Sequence, residues 1–236
     1  MDPERLDHER VPLSAIVKRG IAVADANIIF IGFYFAVNFL TWLGFHQVKS
    51  AFVGTETPPD MQRLILFDAV RIAVLIPIQA FIDSLIGALL RRQLLSGESD
   101  SEVRLLGWAK RFYFRMLVIN VAHGIAVILL FPLDSAIYPF LRYVAAFVVW
   151  QDRDVRTAFS GTGNFISVHS GIFLPVWFVG TAALLGANVA VRAPASSNPV
   201  FMGLLHLVLA YFDFAIVATA VISFMMLRSR PQEAIV

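Results

Sequence analysis

Hydrophobic positions gather into six long runs separated by short polar breaks. A helix needs about 20 mostly apolar residues to cross about 30 Å of hydrocarbon. The runs cover residues 21–45, 64–90, 112–131, 136–150, 165–191 and 200–227. The fourth is the shortest. The pattern predicts an all-α polytopic bundle of six transmembrane helices, forming one integral membrane domain. Residues 1–20 form a leading tail, 21–227 the bundle and 228–236 a closing tail. The first run has about 25 apolar residues, against 7–15 for a signal-peptide core, so it reads as an uncleaved span.

The breaks carry turn chemistry. Pro58-Pro59 marks the segment 54–60, Pro132 the turn 131–134, and Pro194 and Pro199 the segment 192–199. In the stretch 99–116, Leu105, Ala109, Phe112 and Met116 fall on one helical face. This predicts an amphipathic helix leading into the third span, with Trp108 and Tyr113 at headgroup level. The alternative is a plain extension of the next helix. Segment 160–164, Ser-Gly-Thr-Gly-Asn, reads as a turn in which Ser160 or Thr162 caps the fifth span. Ala182, Gly186 and Ala190 recur at helical spacing in that span and suit close packing, within the chain or against another subunit.

Composition supports the membrane reading. Of 236 residues, 58% are hydrophobic and 15% charged, where a soluble domain runs about 45–50% and about 25%. Cys 0 rules out disulfides, thiolate metal sites and cysteine nucleophiles. The net charge of +2 is too small to suggest nucleic acid as a partner. Position matters more than the sum. Arg5, Arg10, Lys18, Arg19, Arg91, Arg92, Arg104, Lys110, Arg111, Arg115, Arg153, Arg156, Arg228 and Arg230 share one side of a six-span chain. Only Lys49, Arg63 and Arg192 flank the other. Basic flanks stay cytoplasmic, so both termini are expected inside.

Order and motif give a resemblance. The stretch Leu105-Leu106-Gly107-Trp108-Ala109-Lys110-Arg111-Phe112 leads into the third span. Then come Tyr138-Pro139-Phe140-Leu141-Arg142-Tyr143 and the element from Val148 through Gln151-Asp152-Arg153-Asp154 to Ala158-Phe159-Ser160. This layout resembles the YciC-like six-span bacterial inner-membrane proteins, which include the membrane domain fused to some glycerophosphodiester phosphodiesterases. The resemblance implies a fold and a bacterial inner-membrane location. It supplies no catalytic residue.

The costly residues carry the functional question. An ionisable group at mid-span costs about 2.5–3.5 kcal/mol on insertion scales. Asp68, Arg71, Leu75, Gln79 and Asp83 lie within about 120° on one face of the second span. Asp68 and Arg71 are spaced to pair, and Pro77 is expected to kink the helix beside them. Asn120 and His123 lie in the third span, Arg142 in the fourth, His206 and Asp213 in the sixth. Arg142 and Asp213 fall at similar depth, which predicts a contact between them. Asp68, Asp83 and Asp213 against Arg71 and Arg142 leave one carboxylate unmatched. The set reads either as a polar pathway for a proton, ion or small solute, or as hydrogen-bonding glue between helices. Haem or chlorophyll ligation by His123 or His206 is a remoter reading. No cofactor is predicted, and bound lipid is expected.

No catalytic signature stands out: G-x-S-x-G and the phosphate-loop patterns are missing, and Asp152-Arg153-Asp154 reads as solvated charge. The leading expectation is therefore a non-catalytic accessory, scaffold or assembly subunit of a larger membrane complex. A small carrier using the polar stripe is the alternative, and a lipid-modifying membrane enzyme ranks third.

Overall fold

A computed structural model describes residues 11–53, 61–95, 104–130, 133–192 and 198–228. The described residues form eight α-helices and no strand: α1 (Leu13–Asp25), α2 (Ile28–Val53), α3 (Met61–Leu90), α4 (Leu105–Leu130), α5 (Asp134–Gln151), α6 (Val155–Val168), α7 (Ser170–Arg192) and α8 (Pro199–Arg228). A π-helical turn, Arg91–Leu95, prolongs α3. The segments 54–60 and 193–197, half of the turn 131–134, residues 96–103 and both chain ends lie outside the described residues.

Five of the helices, α2, α3, α4, α7 and α8, are long and apolar enough to cross a membrane. The six expected spans therefore become five by length and composition. The odd one out is the short fourth run. As α5 it has 18 residues and carries Asp134 and Arg142. Twelve of its side chains are buried, because it packs against α4, α6, α7 and α8 at the centre of the bundle.

The first and fifth runs also divide differently. The first bends at Ala26-Asn27, where the Asn27 carboxamide donates to the Val23 carbonyl (2.6 Å) and exchanges two 2.9 Å hydrogen bonds with Gln93. The residues before the bend form α1, whose Ile16, Gly20 and Ala24 are buried at helical spacing. Gly20 lies so close to Thr219 of α8 that a Cβ has no room. In the fifth run, residues 165–168 belong to α6, and the chain restarts at Ser170 after His169.

Segment 160–164 is not a turn. Ser160 and Thr162 lie within α6, Thr162 is buried, and Gly161 takes the Phe147 ring where a side chain would stand. Asp154 is the cap instead: its carboxylate accepts from the Thr157 backbone N–H (2.9 Å) and hydroxyl (2.7 Å). Those hydrogen bonds hold the Asp154 carboxyl below the usual aspartate range. Asp152 ends α5 in the left-handed region (φ 54°) and binds Arg115 at 2.6 Å and Arg111. The D-R-D element thus terminates one helix and starts the next, while Arg153 and Asp154 stay exposed as the expected solvated charge.

The amphipathic lead-in is likewise the start of α4. From Leu105 to Leu130 the helix is continuous, and Ala109, Phe112 and Met116 are buried in the bundle. Trp108 is buried too, with the guanidiniums of Arg91 (4.9 Å) and Arg111 (5.2 Å) over its ring.

Burial differs between the two halves of the bundle. On α3 nearly every side chain from Ala80 to Leu90 is buried, whereas from Met61 to Gln79 only Phe67 is. On α8 the run from Asp213 to Phe224 is almost wholly buried, while in the first two turns only Met202 is. The tight half is latched by Arg91, which donates to the carbonyls of Val149 (3.0 Å) and Trp150 (2.9 Å) at the end of α5. The loose half is the one that contains Arg71 and His206.

Candidate functional site: a buried charge cluster beneath a cavity

The boundary between the halves holds three charged side chains. Helical spacing places Gln79 and Asp83 together on α3, and Tyr138 and Arg142 together on α5. Asp213 comes from α8, Asn120 from α4 and Tyr34 from α2. Arg142 is 3% exposed, Asp83 4% and Asp213 6%.

Arg142 serves both carboxylates. Its Nη1 lies 2.7 Å from Asp83 Oδ2. Its Nη2 donates to Asp213 Oδ2 at 2.8 Å and to the Tyr138 hydroxyl. Its Nε sits 2.7 Å from Asp213 Oδ1, within ion-pair distance but not aligned as a hydrogen bond. The guanidinium also lies over the Tyr138 ring, 4.5 Å from its centroid.

Neutral donors complete the shell. Tyr34 donates to Asp213 Oδ2 (2.8 Å) and Tyr138 to Oδ1 (2.7 Å). Asn120 donates to Asp83 Oδ2 (2.7 Å). Gln79 Nε2 reaches Asp83 Oδ1 (3.1 Å) and the Tyr34 oxygen (2.9 Å). The result is one connected network across five helices. Burying such charges is tolerable only when pairing and hydrogen bonds answer nearly every lone pair, as they do here.

Arg142 and Asp213 do meet, but Asp83 shares the same guanidinium. The stripe expected along α3 is divided in two. Asp68 and Arg71 pair at 3.1 Å with side chains 46% and 44% exposed. Leu75 separates them from the buried cluster. The unmatched carboxylate therefore belongs to the cluster, where two aspartates face one arginine.

His123 and His206 stand outside the network. The His123 ring packs 4.7 Å from that of Tyr138, and His206 lies 6.3 Å from Phe39 and 6.0 Å from Trp42. Among the described residues no group of three His, Asp or Glu is placed to hold a metal ion. Sequence reasoning missed Tyr34 and Tyr138. Tyr138 had a legible signal in its spacing from Arg142, since a buried phenol seeks a partner. Tyr34 lies among phenylalanines and had none.

A cavity of about 360 Å³ lies over the cluster. Side chains of α2, α3, α4, α5, α7 and α8 line it, and Asp213, Tyr34, Gln79 and Tyr138 form its polar end. Its α3 wall runs from Gln79 to Arg71, about 12 Å at helical rise. Leu75, Ile76, Val127, Leu184 and Leu209 make much of the remaining surface apolar. A small-ligand site has this size and this mixture of apolar walls with few polar groups. Comparison of the chain with protein-family models, with characterised proteins and with solved structures finds no match.

Proposed function

We propose that this protein is a membrane carrier for a small solute, which it binds in the cavity above Asp83, Arg142 and Asp213. The carrying observation is the position of the cluster, at the polar end of a cavity bounded by six helices. Glue alone needs no such space beside it. The packed half beyond the cluster supports the reading further, because it closes the opposite face. The latch from Arg91 to α5 and the Asn27–Gln93 pair then form the closed gate.

We take α5 as a sixth crossing. Lys18, Arg19, Arg91, Arg92, Arg104, Lys110, Arg111, Arg115, Arg153, Arg156 and Arg228 then share the closed end, which makes that end cytoplasmic. The cavity is reached from the other side. With the YciC-like resemblance, the membrane is the bacterial inner membrane.

The natural lack of cysteine makes the test clean. Ala183 lines the cavity, and Ala88 is fully buried in the closed half. A carrier that alternates exposes Ala183→Cys to an impermeant thiol reagent from outside and Ala88→Cys, more slowly, from the cytoplasm. Reaction of Ala183→Cys from outside only, with Ala88→Cys inert, overturns the carrier.

That static outcome is what the accessory-subunit reading expects. One observation favours this second reading. Ala182 and Gly186 face outward on α7, and the space beside Gly186 is empty within 4 Å. A partner helix could approach closely there.

A further inference from the structure

The cavity is unbalanced in charge as well as hollow. Both arginines associated with it are already matched. Arg71, on its α3 wall, pairs with Asp68, and Arg142, buried in the cluster beside Tyr138 and Asp213 of the lining, serves Asp83 and Asp213. Two carboxylates against one guanidinium leave one negative charge. Asp213 itself lines the cavity, so the surplus acts on whatever enters. The other titratable groups facing the space are Tyr34 from α2, His123 from α4, Tyr138 from α5 and His206 from α8. With phenols and imidazoles neutral, they leave the count unchanged.

We infer that the cavity takes a small organic monocation, a primary ammonium on a short apolar body. The inference rests on the cavity being the binding site of the carrier. The ammonium cancels the surplus charge, which a low-dielectric surrounding makes costly to leave open. Around the cluster, Asp83 Oδ1 is the least committed carboxylate oxygen. It accepts one hydrogen bond, at 3.1 Å, from Gln79; Asp83 itself does not line the cavity, but Gln79 does. The body of the ligand lies against Leu75, Ile76, Val127 and Leu209. A carboxylate ligand meets a surplus of its own sign and no unpaired arginine. A neutral ligand leaves the surplus in place.

The probes are alkylammonium ions from butyl to octyl, with the matched alcohols and carboxylates. Calorimetric titration of the full chain in lipid nanodiscs reads their binding. The expected result is at least about tenfold tighter binding of one or more ammonium ions than of the matched alcohol, and weaker binding still of the carboxylate. Asp213→Asn removes the charge but risks the fold. Ala183→Phe therefore serves as the second variant: it fills the cavity, leaves the cluster intact and should abolish the ammonium preference. It also controls for partition of the probes into lipid.

Equal binding of ammonium and alcohol means that a proton already settles the surplus, and it overturns the inference. Tighter carboxylate binding, no ammonium binding, or ammonium binding unchanged by Ala183→Phe overturns it too. Failure of the carrier reading is distinguishable. Ammonium preference with cysteine labelling from one side keeps the cation site and removes the carrier; two-sided labelling without the preference does the reverse.

Discussion

Arg142 is the residue on which the interior most depends. Replacing it with Met keeps most of the volume but strands two carboxylates at 4% and 6% exposure. Removing one partner of a buried ion pair costs about 3–5 kcal/mol. Arg142→Met should lower stability by about that amount, read as a fall in the thermal unfolding midpoint in detergent. Adding Asp213→Asn should recover part of the loss, because the two changes share one network. Simple additivity of the two losses would show that the guanidinium is not what holds Asp213. The sequence made half of this legible. Equal depth from the span ends was enough to bring Arg142 and Asp213 together. It could not show that Asp83 reaches the same guanidinium, because that depends on how helices are arranged sideways, which hydropathy does not encode.

At the scale of elements, helix ends decide more than helix interiors. The short helix α6 escapes the hydropathy pattern because Phe165 and Ile166 merge with the apolar run beyond Ser170. Only Asp154 marks its start, and that capping role was hidden behind the charge of its neighbours. The Thr157 hydrogen bonds favour the ionised Asp154, so its carboxyl titrates lower in the folded protein than in the unfolded chain. The sign follows: the stabilising effect is fully present above the ordinary aspartate value of about 3.9 and is lost as pH falls through the lower folded value. Amide protection factors at Thr157 should therefore decline over that acidic range. In Asp154→Ala they should be low throughout and independent of this titration. A wild-type profile matching Asp154→Ala would remove the cap from the account. The two neighbouring aspartates have different tasks: Asp154 orders α6 at the surface, while Asp152 ties the end of α5 to α4 through Arg111 and Arg115.

For the whole molecule, α5 decides the topology. Composition disfavours it as a crossing, since it is short and charged. Packing puts it at the centre, where Arg142 is answered by α3 and α8 and never meets lipid. If α5 crosses, Lys49 and Arg153 lie on opposite sides of the membrane. Single Lys49→Cys and Arg153→Cys variants should then react with an impermeant reagent from outside and from the cytoplasm respectively. Reaction of both from the same side would reduce the crossings to five and reverse one terminus. The contrast between halves belongs to this scale too. Loosely packed ends of α3 and α8 leave a cavity, and their packed ends close it.

The sequence by itself determined the solvent. Its apolar runs require lipid, its basic residues cluster by segment, and its few mid-span charges are too costly to face hydrocarbon. These are one-dimensional quantities, additive along the chain, so they can be read without coordinates. The tertiary structure decided which helices meet. It split the first and fifth runs at Asn27 and His169, turned a lead-in segment into the start of α4, and moved α5 from a weak span to the core. It joined Tyr34, Gln79, Asp83, Asn120, Tyr138, Arg142 and Asp213 into one network. The physical reason is that a buried charge is settled by partners at about 3 Å, and those partners come from segments distant in sequence. The cavity follows from the same cause, since empty space is a property of how six helices pack and of none of them alone.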